Sequence, residues 1–183
     1  MARREPIVPL KLAFFVEGDR DKDFVETLVP RVVGPSALVR VVRVGGKAAF
    51  SSTFSEAAQF LEAGYASVFL VVDADTEIPT EIDLQKQRLA DVFRRYGLED
   101  RVRICMAVPM FEAWLLAAFR DDPEGSTHPK RDLARFVGTD ADDKIRSLVA
   151  DLPIEVARRR SKSFDEFVTN LETFAPSKAR RAS

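Results

Sequence analysis

Four acidic residues stand where chemistry can be done. Glu17 directly follows the apolar run LAFFV, with Gly18 next and Asp21 four residues on, and Asp73 and Asp75 follow the apolar run SVFLVV. Two apolar strands of a parallel sheet can lie side by side, so their C-terminal ends can gather all four carboxylates in one crevice. Such a cluster repels itself unless a cation fills it. Other chemistries are short of residues: there is one histidine, His128, and one cysteine, Cys105. An intramolecular disulfide, a thiolate cluster and the two-histidine zinc motifs are therefore excluded. Oxygen ligands without His or Cys suit Mg²⁺ or Mn²⁺, which bind through a few carboxylates plus water and substrate phosphate. Taken singly, Asp75 or Asp19 reads as a helix cap; Glu17, Asp73 and Asp75 taken as a set read as a metal site.

The elements that must position these residues are legible as an alternation. LAFFV (12–16), LVRVVRV (38–44), SVFLVV (67–72) and VRICMAV (102–108) read as strands. Between them lie segments with helical spacing: one from Asp21 carrying Phe24, Val25, Leu28 and Val32; one capped by Ser51 or Ser52 and stopped at Gly64; and one over about 81–96. After the fourth strand, Phe111, Trp114, Leu115 and Phe119 mark the apolar side of a further helix, with Trp114 a core residue. This order predicts an α/β fold: a four-stranded, mostly parallel sheet flanked by helices, Rossmann-like, with its ligand site outside the carboxyl ends of the strands. Residues 10–120 form that domain. Beyond it, 130–137, 141–150 and 163–173 read as short helices, so 121–176 is expected to be a helical extension packed on the domain, and 177–183 a disordered basic tail.

Composition agrees with a single soluble domain. The chain has 183 residues, 46% hydrophobic and 31% charged, and 14 Phe to supply a core. No run approaches a membrane-spanning length, and the basic start MARREPIVPLK precedes no signal-peptide cleavage pattern, so a cytoplasmic location without membrane attachment is expected. The net charge of −1 divides into +2 over residues 1–11, +4 over 158–183 and −7 between them. An acidic body with basic ends suits a cation site facing a polyanion, although a solvated tail explains the same counts.

FFVEGDRDKDF together with FLVVDADTE resembles the TOPRIM domain, the topoisomerase–primase fold, whose pattern is Glu-Gly after the first strand and Asp-x-Asp after the third. VGGKAAF (44–50) and VPMFEAWLLAAF (108–119) look like segments of the compact TOPRIM-like proteins related to OLD-type nucleases and to RloB, and HPKRDLARFVG and RRSKSFDEFVTNL look like that branch's C-terminal half. The resemblance spans nearly the whole chain. It implies metal-dependent phosphodiester hydrolysis on DNA or RNA, in a defence-associated protein often encoded beside an AAA-type ATPase. By the same resemblance Glu17, Asp21, Asp73 and Asp75 are candidate ligands of Mg²⁺ or Mn²⁺, with Glu17 alternatively a general acid or base.

Around that centre, Lys47 is a candidate for phosphate contact, against the plain reading of a loop lysine. Glu112 points away from the Phe111, Trp114 and Leu115 stripe by helical phase, so it is either a surface residue or part of the site, completing a second metal shell or orienting a lysine. The basic run Arg158, Arg159, Arg160 and Lys162 reads as a solvated face or as a groove for the nucleic-acid backbone. His128 reads as a loop residue.

Departures from the family patterns narrow the function. DADTEIP is not the Asp-Pro-Asp-x-x-Gly of the ribosomal-RNA-maturing TOPRIM enzymes, and neither Tyr65 nor Tyr96 is placed for covalent strand attachment, which argues against a topoisomerase. The main alternative is a non-catalytic TOPRIM-like subunit of an ATPase complex. A receiver-like phosphoacceptor is disfavoured, because the first strand ends in Glu-Gly and the third supplies two aspartates. A haloacid-dehalogenase phosphatase would carry its Asp-x-Asp after the first strand.

Overall fold

The computed structural model describes residues 9–138 and 142–175. The proposed tail at 177–183, the basic residues Arg3 and Arg4, and the expected helix start at Ala141 lie outside these residues. Four strands alternate with helices: β1 (Lys11–Val16), α1 (Asp19–Val33), β2 (Leu38–Arg43), a 3₁₀ turn (Lys47–Ser52), α2 (Phe54–Glu62), β3 (Ser67–Asp73), α3 (Pro79–Arg95) and β4 (Val102–Ala107). The C-terminal part is helical: α4 (Phe111–Leu116), α5 (Pro129–Val137), α6 (Asp142–Asp151), α7 (Ile154–Arg160) and α8 (Lys162–Glu172).

The sheet is wholly parallel, in the order β2-β1-β3-β4. Phe15 pairs with Leu70, so continuing that register brings Glu17 level with Val72, one residue short of Asp73. Successive strand residues point to opposite faces, and both faces are covered, which is why the strands read as continuous apolar runs. One face, with Leu12, Phe14, Phe69, Val71 and Cys105, packs against α1, α4, α6 and α8. The other, with Ala13, Phe15, Val68, Leu70 and Met106, packs against α2 and α3. The first core runs without a break from the sheet into Leu133, Ile145, Phe164 and Phe167, so the C-terminal helices form one of the layers on the sheet.

Two local expectations are corrected. Ser51 and Ser52 do not cap α2; their hydroxyls donate back to the carbonyls of Ala48 and Ala49, closing the 3₁₀ turn, and Thr53 is the N-cap. The segment IEVARRR forms a helix of its own, α7, too short for periodicity to reveal.

Trp114 joins the layers. Its ring stacks on Phe167 with centroids 5.0 Å apart and lies 5.7 Å from both Phe24 and Phe164. Its Nε1 donates to Ser163 Oγ at 2.8 Å, and Ser163 in turn donates from both its hydroxyl and its backbone N–H to Glu124 Oε1 at 2.7 Å. Helix α1 is fastened to α6 by Arg20–Asp142 (2.7 Å) and Arg146–Asp23 (2.6 Å), while Arg31 donates to the carbonyls of Val149 and Leu152. Among the described residues no helix is long and apolar enough to cross a membrane.

Because Trp114 is fully buried in this cluster, Trp114→Ala should lower the unfolding free energy by about 3–5 kcal/mol. The exposed Leu84→Ala should change it by less than about 0.5 kcal/mol. Urea denaturation of the two variants checks the packing, and an equal effect would contradict it.

Candidate functional site

In a sheet of order β2-β1-β3-β4 the chain leaves β1 and β3 toward opposite edges, and a crevice opens between their carboxyl ends. A cleft of ≈ 480 Å³ lies there, with Glu17, Asp21, Asp73 and Glu112 among its walls. Glu17 is the first residue beyond β1. Gly18 is the N-cap of α1, and Asp21, at the third helical position, accepts the Gly18 N–H at 2.9 Å, which fixes that carboxylate at the helix entrance. Asp73 is the last residue of β3, and its Oδ1 accepts the N–H of Phe111, the first residue of α4, at 2.9 Å. Glu112 is the next residue of α4 and is 1% exposed.

The charges in this cleft are poorly matched. Burial pushes Asp73 up to about 8, and the neighbouring Asp21 and Glu112 charges add to the shift against the Phe111 hydrogen bond. Burial likewise pushes Glu112 up to about 7, with Lys130 opposing and Asp21 adding. Glu17 and Asp21 are also raised, burial again being the main cause. Glu17 Oε1 and both Glu112 oxygens are buried without a hydrogen-bond partner among the described residues; Lys130 Nζ stands 3.8 Å from Glu112, and the Arg20 charge also favours its ionised form. A buried acceptor normally finds a donor. Four carboxylates raised together, three of their oxygens orphaned, amount to an unmet demand for positive charge.

An oxygen-only site of this kind fits Mg²⁺ or Mn²⁺. Among the described residues no three carboxylate, histidine or cysteine groups already form an ion cage. A bound ion would therefore complete its shell with water or a substrate oxygen, as Mg²⁺ commonly does.

The expected site residues separate. Glu17, Asp21, Asp73 and Glu112 meet in the cleft, so Glu112 is buried in the cleft wall and not a surface residue. Asp75 and Lys47 do not line it. Asp75 has a left-handed backbone (φ 56°), and its carboxylate is 61% exposed and faces Lys47, whose Nζ donates to Asp75 Oδ2 at 3.2 Å and to the Ala74 carbonyl at 2.9 Å. The basic run 158–162 is absent from the cleft as well. Arg158 bonds Asp165 (2.6 Å) and Glu172 (2.8 Å), fastening α7 to α8; Arg160 bonds the Ala117 and Ala118 carbonyls and Asp121. Arg159 and Lys162 are exposed, and Lys162 lines a separate pocket beside Lys86 and Glu166. His128 is the N-cap residue of α5.

The basic residues that do line the cleft are Arg20, Arg43 and Lys130, none of them evident as site residues from the sequence alone. Arg43 had a signal: it is the last residue of β2, at the same sheet edge that singled out Glu17 and Asp73. Lys130 had none, since it reaches the cleft from α5 across a long connection. Arg43 is paired with Asp19 at 2.5 Å.

No known protein-family model, no curated protein and no solved structure matches this chain. The geometry and chemistry of the cleft carry the functional reading.

A pH dependence follows. Asp73 goes from an ordinary 3.8 to about 8 and Glu112 from 4.5 to about 7, so the folded chain keeps protons that the unfolded chain has released. Their contribution to stability is complete below the unfolded values and is lost as pH rises through the folded ones. In chelator the melting temperature should fall between about pH 5 and about pH 9, and Asp73→Asn, which keeps an acceptor for Phe111, should flatten that fall and melt higher at the alkaline end. Identical pH profiles for the two proteins would contradict the burial of this charge.

Proposed function

We propose that this chain is a Mg²⁺- or Mn²⁺-dependent phosphodiesterase acting on nucleic acid. The observation that carries the reading is the meeting of Glu17, Asp21, Asp73 and Glu112 in one cleft with raised proton affinities and orphaned oxygens. Asp73, Glu112, Glu17 and the free oxygen of Asp21 are the groups that would hold the ion. The ion, when bound, supplies a water acidified for attack and charge stabilisation at the leaving oxygen.

The remaining work falls to the chain. As the alternative to ligation, Glu17, half-buried and with its Oε1 unpartnered, is suited to take a proton from the attacking water, because burial has made it a stronger base than a surface glutamate. Arg43 and Lys130, both lining the cleft, are suited to seat the phosphate oxygens. The basic run at 158–162, with Arg158 and Arg160 committed to internal bonds, leaves Arg159 and Lys162 for any outer contact with a nucleic-acid backbone. An AAA-type ATPase partner rests on the sequence resemblance. A second reading is a non-catalytic subunit of an ATPase complex in which the acidic cleft is retained without an ion; among the described residues no three ligand groups already form an ion cage.

Calorimetric titration of Mn²⁺ and Mg²⁺ separates the two readings. The wild type should bind, and Asp73→Asn and Glu17→Gln should weaken binding by more than about tenfold and abolish metal-dependent cleavage while remaining folded by circular dichroism. A wild type that binds neither ion supports the non-catalytic subunit. Cleavage retained in both variants would rule out the assigned residues.

A further inference from the structure

We infer that the two aspartates of the Asp73-Ala74-Asp75 segment have different duties: Asp73 serves the ion, and Asp75 is the positioning residue that holds Lys47 beside the cleft. The inference deepens the proposed function, and its metal half rests on that reading.

The backbone decides the division. Asp73 ends β3 with its carboxylate tied to the Phe111 N–H in the cleft. Ala74 continues the sheet by donating to the Ala107 carbonyl at 2.8 Å, and Asp75 donates its N–H to the Pro109 carbonyl at 2.7 Å. At Asp75 the chain turns into the left-handed region, where a short polar side chain is tolerated and a longer or β-branched one is not. The Asp75 carboxylate faces Lys47 outside the cleft lining, although its charge is near enough to Glu17 to add to that residue's raised proton affinity.

Lys47 meets it there. The ammonium bonds both Asp75 and the Ala74 carbonyl, and the same carbonyl also accepts Gln85 Nε2 at 3.0 Å. Lys47 opens the 3₁₀ turn directly after Gly45 and Gly46, which line the cleft at φ 76° and 139° and whose missing side chains leave open space. The Lys47–Asp75 pair thus clasps the loop after β2 to the loop after β3, and places one positive charge at the cleft's margin. With its side chain 33% exposed, the lysine stays accessible to an incoming phosphodiester oxygen.

Two measurements on Asp75→Asn test this, a variant whose side chain suits the same left-handed turn. In the Mn²⁺ titration Asp75→Asn and Lys47→Met should keep the wild-type Kd within about threefold, while Asp73→Asn loses more than about tenfold. A loss in Asp75→Asn equal to that in Asp73→Asn would make Asp75 a ligand and overturn the inference. Competitive acetylation read by mass spectrometry should find Lys47 several-fold more reactive in Asp75→Asn than in wild type. Unchanged Lys47 reactivity overturns the pairing whether or not the protein binds an ion, so failure of the metal reading and failure of this inference give different results.

Discussion

The parallel pairing of β1 with β3 is the constraint from which the rest follows. Parallel strands deliver all their carboxyl ends to one edge, and the register between these two puts Glu17 almost opposite Asp73. Two acidic side chains held that close, with Asp21 and Glu112 added from the helices that follow, repel one another. The surroundings respond in part: α4 turns its first N–H onto Asp73, α1 turns its entrance N–H onto Asp21, and Arg43 and Lys130 stand at the walls. None of these supplies a full counter-charge to the floor.

Two glutamates, one half-buried and one buried, are served very differently. Glu124 Oε1 accepts three bonds, from both donors of Ser163 and from the Ser161 hydroxyl, and so ties the C-terminal helices to Trp114. Glu112, a residue of the same type and more deeply buried, has no hydrogen bond on either oxygen. A chain able to satisfy one carboxylate so fully leaves the other open where the ligand crevice lies. Where a polar network serves only to hold layers together, as with Arg158 between Asp165 and Glu172, it is closed.

Much of this was legible in the sequence, for identifiable reasons. Strands covered on both faces must be apolar throughout, so LAFFV and SVFLVV announced a parallel sheet, and the acids that follow them announced its ligand edge. Residue type and strand end sufficed for Glu17 and Asp73. They did not report that Asp75 adopts a left-handed backbone and faces Lys47 outside the cleft lining. The run Arg158–Lys162 read as a solvated face or a phosphate groove because sequence shows charges but not their partners, and Asp165 and Glu172 lie one and three turns along the next helix. Lys130 reaches the cleft only through the folding of α5 against α4, a contact between distant segments. Glu112 stood between a surface and a site reading because helical phase shows only that it leaves the apolar stripe, whereas α4 is in fact buried on every side.

The fastening of α1 by α6 has a consequence for how the protein is made. Asp21 and Gly18 sit at the cleft end of α1, yet Arg31 on that helix is held by carbonyls of Val149 and Leu152, more than a hundred residues later. Phe14 and Phe69 on the same side of the sheet share their core with Phe164 and Phe167. During synthesis the strands therefore leave the ribosome well before some of the helices that cover them, and part of one apolar face of the sheet stays open until Phe164 and Phe167 have emerged. The lining of the acidic crevice has all been made by Lys130, yet α1, which brings Asp21 to it, gains its fastening to Val149 and Leu152 only later.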